Sequence, residues 1–192
     1  MENETRFAPM MVAEPNRDVF EQLVERIESD VDRDGWDQPN RLFRIDSHAS
    51  PIAGMAALAV SEVPWPAHQS TTHPAEALAI DAAVVSVVPA DDLRLDEFVG
   101  LALSVESWGV EAPAGDVDPE LEEARRKREL HLRPDRYEIR LVMLVSPVGE
   151  VMAYRRRGGN AEVMDMADHT GTVPDALRGL FAAFVLRKVG AR

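Results

Sequence analysis

Residues 30 to 35 read DVDRDG, which sets Asp30, Asp32, Asp34 and Gly35 at the first, third, fifth and sixth positions of an EF-hand calcium loop. Such a loop surrounds the ion with oxygens and closes on a bidentate glutamate at its twelfth position. Here the twelfth residue is Arg41, a cation where the metal needs its last ligands, and Pro39 stands where the next helix should begin. The three aspartates are therefore weak metal candidates. The competing reading is an acidic helix end, whose carboxylates oppose the helix dipole until a cation relieves them. A second cluster is cationic. Arg155, Arg156 and Arg157 close a strand pattern, so at least one lies on each face, and Arg140 sits nearby on the strand expected to pair with it. A guanidinium grips carboxylate or phosphate through two parallel hydrogen bonds. These four arginines either hold an anionic ligand or answer acidic residues elsewhere in the chain.

Other chemistry is thinly represented. His48, His68, His73, His131 and His169 are scattered, and neither the His68/His73 pair nor the Asp165, Asp168 and His169 group has the HExxH spacing of a metal site. No GxSxG elbow, Walker A loop or GxGxxG occurs, and Gly158-Gly159 reads as a turn. Cysteine is absent, which excludes disulfides, thiolate catalysis and sulfur-ligated zinc. No catalytic residue and no cofactor are indicated, and a non-enzymatic protein is the leading expectation.

The net charge of −13 argues against nucleic acid or an acidic membrane as the main partner. Its distribution is uneven: residues 1–124 carry 7 basic and 26 acidic side chains, residues 125–192 carry 14 and 8. Two parts of one domain facing each other would account for that asymmetry. The basic run RRKR (125–128) ends a helix whose acids lie in its first turn, as the dipole prefers, and reads as a solvated face. No apolar run approaches the roughly 18 residues of a membrane helix. The opening MENETRFAPMMVAEP lacks the basic and apolar regions of a signal peptide, so the expected compartment is the cytoplasm.

These residues must be positioned by the elements around them. Residues 1–15 read as a flexible arm, and 16–192 as one domain. Asn16 caps a helix with Phe20, Leu23, Val24, Ile27 and Val31 on one face, which Gly35 ends. Leu42, Phe43 and Ile45 predict a strand. SPIAGMAALA reads as a helix with Ser50 at its cap, and a short helix is expected at 74–79. AAVVSVV (82–88) reads as a strand buried on both faces, and DDLRLDEFVGLAL (91–103) as helix rather than strand. Asp118 and Pro119 open a charged helix. RYEIRLVMLV and the run after Ser146-Pro147-Val148-Gly149 form a hairpin, and a closing amphipathic helix follows Thr172.

The stretch GWDQPNRLF (35–43) resembles the GWDQPxRLF signature of an uncharacterised family of small actinobacterial proteins. HLRPDRYEIRLVMLV resembles that family's HPDREEVRLV strand, and the order of valine-rich run, charged helix, hairpin and final helix is similar. The chain departs from the pattern with Asn40 where a second proline is usual, and with Leu132 and Arg133 between His131 and Pro134. No activity is established for that family, so the resemblance implies a fold and a compartment only. Within the motif, Gly35 stops the helix, Trp36 covers the core edge, Asp37 or Gln38 ties the turn, and Pro39 favours the extended chain that follows; the alternative is that Trp36 and Asp37 face a ligand.

Together these readings predict an α+β protein: a single domain with a mostly antiparallel sheet of four to five strands, packed helices, and a C-terminal hairpin followed by an amphipathic helix. The expected function is a cytoplasmic binding or adaptor module that forms a homodimer and can take a protein partner, without nucleic acid or membrane. The alternative is an enzyme or small-molecule binder with Arg140, Arg155, Arg156 and Arg157 around an anionic ligand.

Overall fold

The structure, a computed structural model, describes residues 7–64, 73–111, 118–167, 169 and 171–190. One antiparallel sheet runs through it in the order β1-β3-β2-β4-β5-β6-β7. The strands are β1 (Met10–Val12), β2 (Arg41–Ala49), β3 (Ala56–Val63), β4 (Phe98–Val110), β5 (Arg136–Ser146), β6 (Gly149–Arg156) and β7 (Ala161–Asp165). The described residues also form four helices, α1 (Arg17–Asp32), α2 (Pro74–Val87), α3 (Pro119–Lys127) and α4 (Thr172–Gly190).

Alternation along the strands divides the core into two layers. Even positions of β5, Val142 and Leu144, join Phe43, Ile45, Ala102, Val151 and Ala153 beneath α1. The odd positions Met143 and Val145 turn the other way, with Leu101, Leu103 and Met152, towards Leu78, Leu177 and Leu180 of α2 and α4. Both faces of β4 and β5 are thus buried, which is why their sequences read as near-continuous apolar runs.

Local signals place several elements as the sequence predicts. The Asn16 side chain accepts a hydrogen bond from the Val19 amide at 3.0 Å, and all five apolar residues of the α1 face are buried. Asp118 caps α3 through the Glu120 amide at 2.9 Å. The β5–β6 hairpin is joined by Pro147 and Val148, with Ser146 opposite Gly149 and the latter at a φ of 147°.

Elsewhere tertiary packing overrides the local pattern. The sheet has seven strands rather than four to five. AAVVSVV is not a strand: the helix that starts at Pro74 continues through it to Val87. An apolar run has no period to distinguish a buried strand from a helix, and the alanines upstream favour helix. Residues 91–103 are not a helix. A short 3-10 turn, Ala90–Leu93, leads into β4, the sheet's central strand. SPIAGMAALA forms a turn at 51–54, with Gly54 at a φ of 75°, and then the start of β3. Of the stretch read as an arm, Phe7 is buried edge-on against Phe43, and Met10, Met11 and Val12 pair with β3.

The α2 cap is a histidine: Nδ1 of His73 accepts from the Ala75 amide at 3.3 Å. Burial, with Arg128 nearby, lowers the His73 pKa from its ordinary 6.5. With the folded-state value depressed, the unfolded chain takes the proton first, so stability is full above about pH 6.5 and falls as pH drops below it. His73→Asn retains an acceptor that does not titrate. Its urea-unfolding midpoint is expected to lose the histidine-dependent decline between about pH 7 and pH 5, whereas His73→Ala costs about 1 kcal/mol at neutral pH through loss of the cap.

Candidate functional site

Arg140 is fully buried, as is Glu28. The Arg140 guanidinium donates to Asp32 at 2.9 Å, to Glu106 at 2.9 Å and to the Gly35 carbonyl, and Glu28 lies 3.7 Å away. Its cross-strand neighbour Arg155 meets Glu28 through two bonds of 2.6 Å and approaches Asp32 at 3.4 Å. The pairing with Glu28 raises the Arg155 pKa. Two arginines on adjacent strands and three carboxylates from α1 and β4 thus form one network that ties the end of α1 to the sheet.

The GWDQP turn closes over this network. Gly35 and Asp37 both adopt left-handed backbone, at φ values of 85° and 67°. The Asp37 amide donates to Glu106 at 2.7 Å, and the Gln38 side chain donates to the Asp34 carbonyl at 3.0 Å. Two guanidiniums lie against the Trp36 ring, Arg140 at 4.4 Å and Arg157 at 5.5 Å. Arg157 also pairs with Glu138 and, at 3.4 Å, with Asp37, and the Glu138 bond raises its pKa. Arg156 points to the opposite face, over the Tyr137 ring and 2.8 Å from Glu111. The four candidate anion ligands are therefore split between two faces, and each is paired with at least one carboxylate from the chain.

The three aspartates of the opening motif diverge in the same way. Asp30 accepts from Arg33 at 3.0 Å, Asp32 from Arg140, and Asp34 from Arg41 at 2.7 Å. Arg41 also grips Glu62 through bonds of 3.0 and 2.5 Å. The cation at the twelfth loop position thus binds the aspartate at the fifth, and guanidiniums from α1's own end, β2 and β5 relieve the acidic helix end. Among the described residues no group of three or more histidine or carboxylate side chains is arranged to hold a metal ion. His48 faces Glu97 at 3.2 Å, while His68 and Asp168 lie outside the described residues. Asp165 pairs with Arg17 at 2.8 Å, and Arg125 and Arg126 of the basic run pair with Glu122 and Glu123.

The other face of the sheet carries a feature that the sequence reading does not contain. An apolar groove of 690 Å³ lies over its β4–β7 half, beside the start of α4. Its floor comprises Val105 on β4, Tyr137, Ile139 and Leu141 on β5, Tyr154 on β6 and Met164 on β7. One bank holds Val173 and Pro174, the other Arg125 and Leu130, and Glu162 lies on the β7 side. The Tyr137 ring lies over Gly109, its partner on β4, where a Cβ would come within 2.5 Å of the ring. Burial and a hydrogen bond with Tyr137 push the Tyr154 pKa up to about 12, so the phenol stays neutral on the groove floor at physiological pH. The alternating Tyr137, Ile139 and Leu141 are visible in the sequence, but as any buried strand face would be.

No family model matches the chain, and no curated protein or solved structure does either.

The buried pairing sets a stability expectation. Arg140→Met strands the carboxylates of Glu28, Asp32 and Glu106 and is expected to cost about 3–5 kcal/mol in urea unfolding. Arg156→Ala removes an exposed pair and is expected to change stability by no more than about 1 kcal/mol. Equal effects of the two variants would contradict a structural role for the Arg140 network.

Proposed function

We propose that this protein is a non-enzymatic, cytoplasmic binding module whose groove over β4–β7 receives an amphipathic helix from a partner protein. The observation that carries this reading is the half of the sheet's α2–α4 side that no element among the described residues roofs. The opposite face is roofed by α1, and the helix side is roofed by α2 and α4 only as far as the groove. The floor spans four strands, about 14 Å at the usual strand spacing, and the run from Tyr137 to Met143 is about 20 Å long. An α-helix with its side chains is about 10–12 Å across, and about 13 residues cover 20 Å. A single helix therefore fits the space with its apolar side down.

The lining chemistry agrees with that occupant. Met164 supplies an adaptable apolar contact beside the half-buried Ile139 and Leu141, with Met143 and Met152 packed beneath them, the kind of surface that accepts amphipathic helices. Arg125 on one side and Glu162 on the other favour a helix with an acidic flank towards α3 and a basic flank towards β7. The anionic-ligand reading has less support. Arg140 is fully buried, and Arg155, Arg156 and Arg157 are all paired with carboxylates.

A dye-labelled amphipathic helical peptide of about 13 residues, with leucines on one side and the two charged flanks described, is the probe. The wild-type protein is expected to raise its fluorescence anisotropy. Ile139→Asp places a charge on the half-buried floor and is expected to weaken binding at least about tenfold, or ~1.4 kcal/mol, with the far-UV spectrum unchanged. Equal affinity of the two proteins would exclude the groove as the binding site.

A further inference from the structure

The outer side of the α2–α4 layer is a second apolar surface, separate from the groove. Val87 is 80% exposed, Leu186 72% and Val189 69%, with Ile80 and Val84 each at 48%. Their spacing puts Ile80, Val84 and Val87 on one side of α2, and Ala182, Leu186 and Val189 on one side of α4. In each helix this side lies opposite the residues buried in the core, Leu78 and Val85 in α2 and Leu177 and Leu180 in α4. The α2 helix is apolar almost all round, its only polar side chains after the cap being Glu76, Asp81 and Ser86. Such a helix is ordinarily covered on every side. Here, among the described residues, burial is confined to the side of Ala77, Leu78 and Val85.

We propose that a second copy of the chain covers the exposed side, the two α2–α4 layers packing face to face about a two-fold axis. Charge confines any contact between two copies to a surface such as this one. Two molecules of net charge −13 repel each other wherever acidic surfaces meet. Ile80, Val84, Val87, Ala182, Leu186 and Val189 make the centre of the stripe uncharged, with the exposed Glu76 one turn before Ile80 and the half-buried Asp81 to one side. The cations beside it turn back into their own molecule, Arg187 to the Val88 carbonyl at 2.5 Å and Lys188 to the Asp96 and Phe98 carbonyls at 3.0 Å.

Size favours such a contact. At the usual rise per residue α2 is about 21 Å long and α4 about 28 Å. Side by side at an axial distance of about 8–10 Å, they present a face roughly 20 Å wide. Pairing two such faces buries on the order of 1,000 Å² in total before corrugation is counted, which reaches the threshold for a biological interface. The Arg187 bond to the end of α2 sets the C-terminal ends of the two helices together, so the most exposed residues, Val87, Leu186 and Val189, lie towards the same end of the layer. A two-fold contact is self-complementary, and both copies contribute this same apolar end.

Sedimentation equilibrium of the full chain over a dilution series is the test. The wild-type protein is expected at the dimer mass. The double variant Val87→Glu/Leu186→Glu opposes four carboxylates across the contact and is expected to raise the dimer dissociation constant at least about a hundredfold. Ile139→Asp, in the groove, is expected to leave the mass unchanged, so this contact and the peptide site can fail separately. Because the chain has no cysteine, Leu186→Cys offers maleimide one thiol. Its labelling is expected to slow as protein concentration rises, a readout that does not depend on the double variant folding. A monomer at every concentration overturns the proposal and leaves the face to a different protein. A dimer that resists the double variant but is lost on Val163→Pro would place the contact at the β7 edge and overturn it equally.

Discussion

The buried guanidinium of Arg140 constrains everything built around it. A charge without solvent must be answered by opposite charges and hydrogen bonds, because leaving it unpaired costs several kcal/mol. Asp32, Glu106 and the Gly35 carbonyl supply that answer, from the end of α1, the turn directly after it and the distant strand β4. The helix end, the β4 strand and the GWDQP turn must all be in place before Arg140 is satisfied. Replacing such a network with apolar residues can match its stability, so its contribution here is to register. It fixes where α1 ends on the sheet.

The same constraint gives the opening aspartates and the arginine cluster a common account. Read separately, DVDRDG resembles a metal loop and Arg155, Arg156 and Arg157 resemble an anion site. In the fold the two clusters meet, with Glu28 and Asp32 of α1 against Arg140 and Arg155. The uneven charge along the chain reflects this. The acidic N-terminal part and the basic C-terminal part meet across β5, β6 and α1, with Arg156 and Glu111 a further pair on the opposite face.

What the sequence made legible was local. Asn16 before a 3.6-residue apolar period, Asp118 before Pro119, and a two-residue turn between β-branched runs each carry their own signal within a few residues. What it hid was decided across the fold. The alanines of β3 and the glycines of β4 count against strand in isolation, yet β3 pairs with β2 along its whole length and β4 pairs with β2 and β5 in turn. Valines 84, 85 and 87 favour strand in isolation, yet they extend a helix begun by His73 and Pro74. The candidate residues were visible in the sequence but their partners were not, since Arg140 and Asp32 are 108 positions apart. The groove was hidden for a related reason. Tyr137, Ile139 and Leu141 mark a face as apolar, and only the placement of α4 determines how much of that face is roofed.

The two sides of the sheet are finished by different forces, and that difference bears on what the protein is for. On the α1 side, directional bonds between charged groups seal the edge of the core. On the α2–α4 side Arg178 pairs with Glu150 of β6 and Lys188 donates to the Phe98 carbonyl, but the bulk of the layer is the apolar cluster of Leu42, Leu78, Val85, Leu101, Leu177 and Leu180, with a groove beside it and an apolar surface above. Apolar contact is non-directional and roughly proportional to area, so a surface that relies on it can be extended by whatever apolar partner fits. Charge networks cannot be extended in that way, because every new polar group must be matched. The sealed side therefore secures the fold, and the α2–α4 side is the one where both proposed contacts can form without disturbing it.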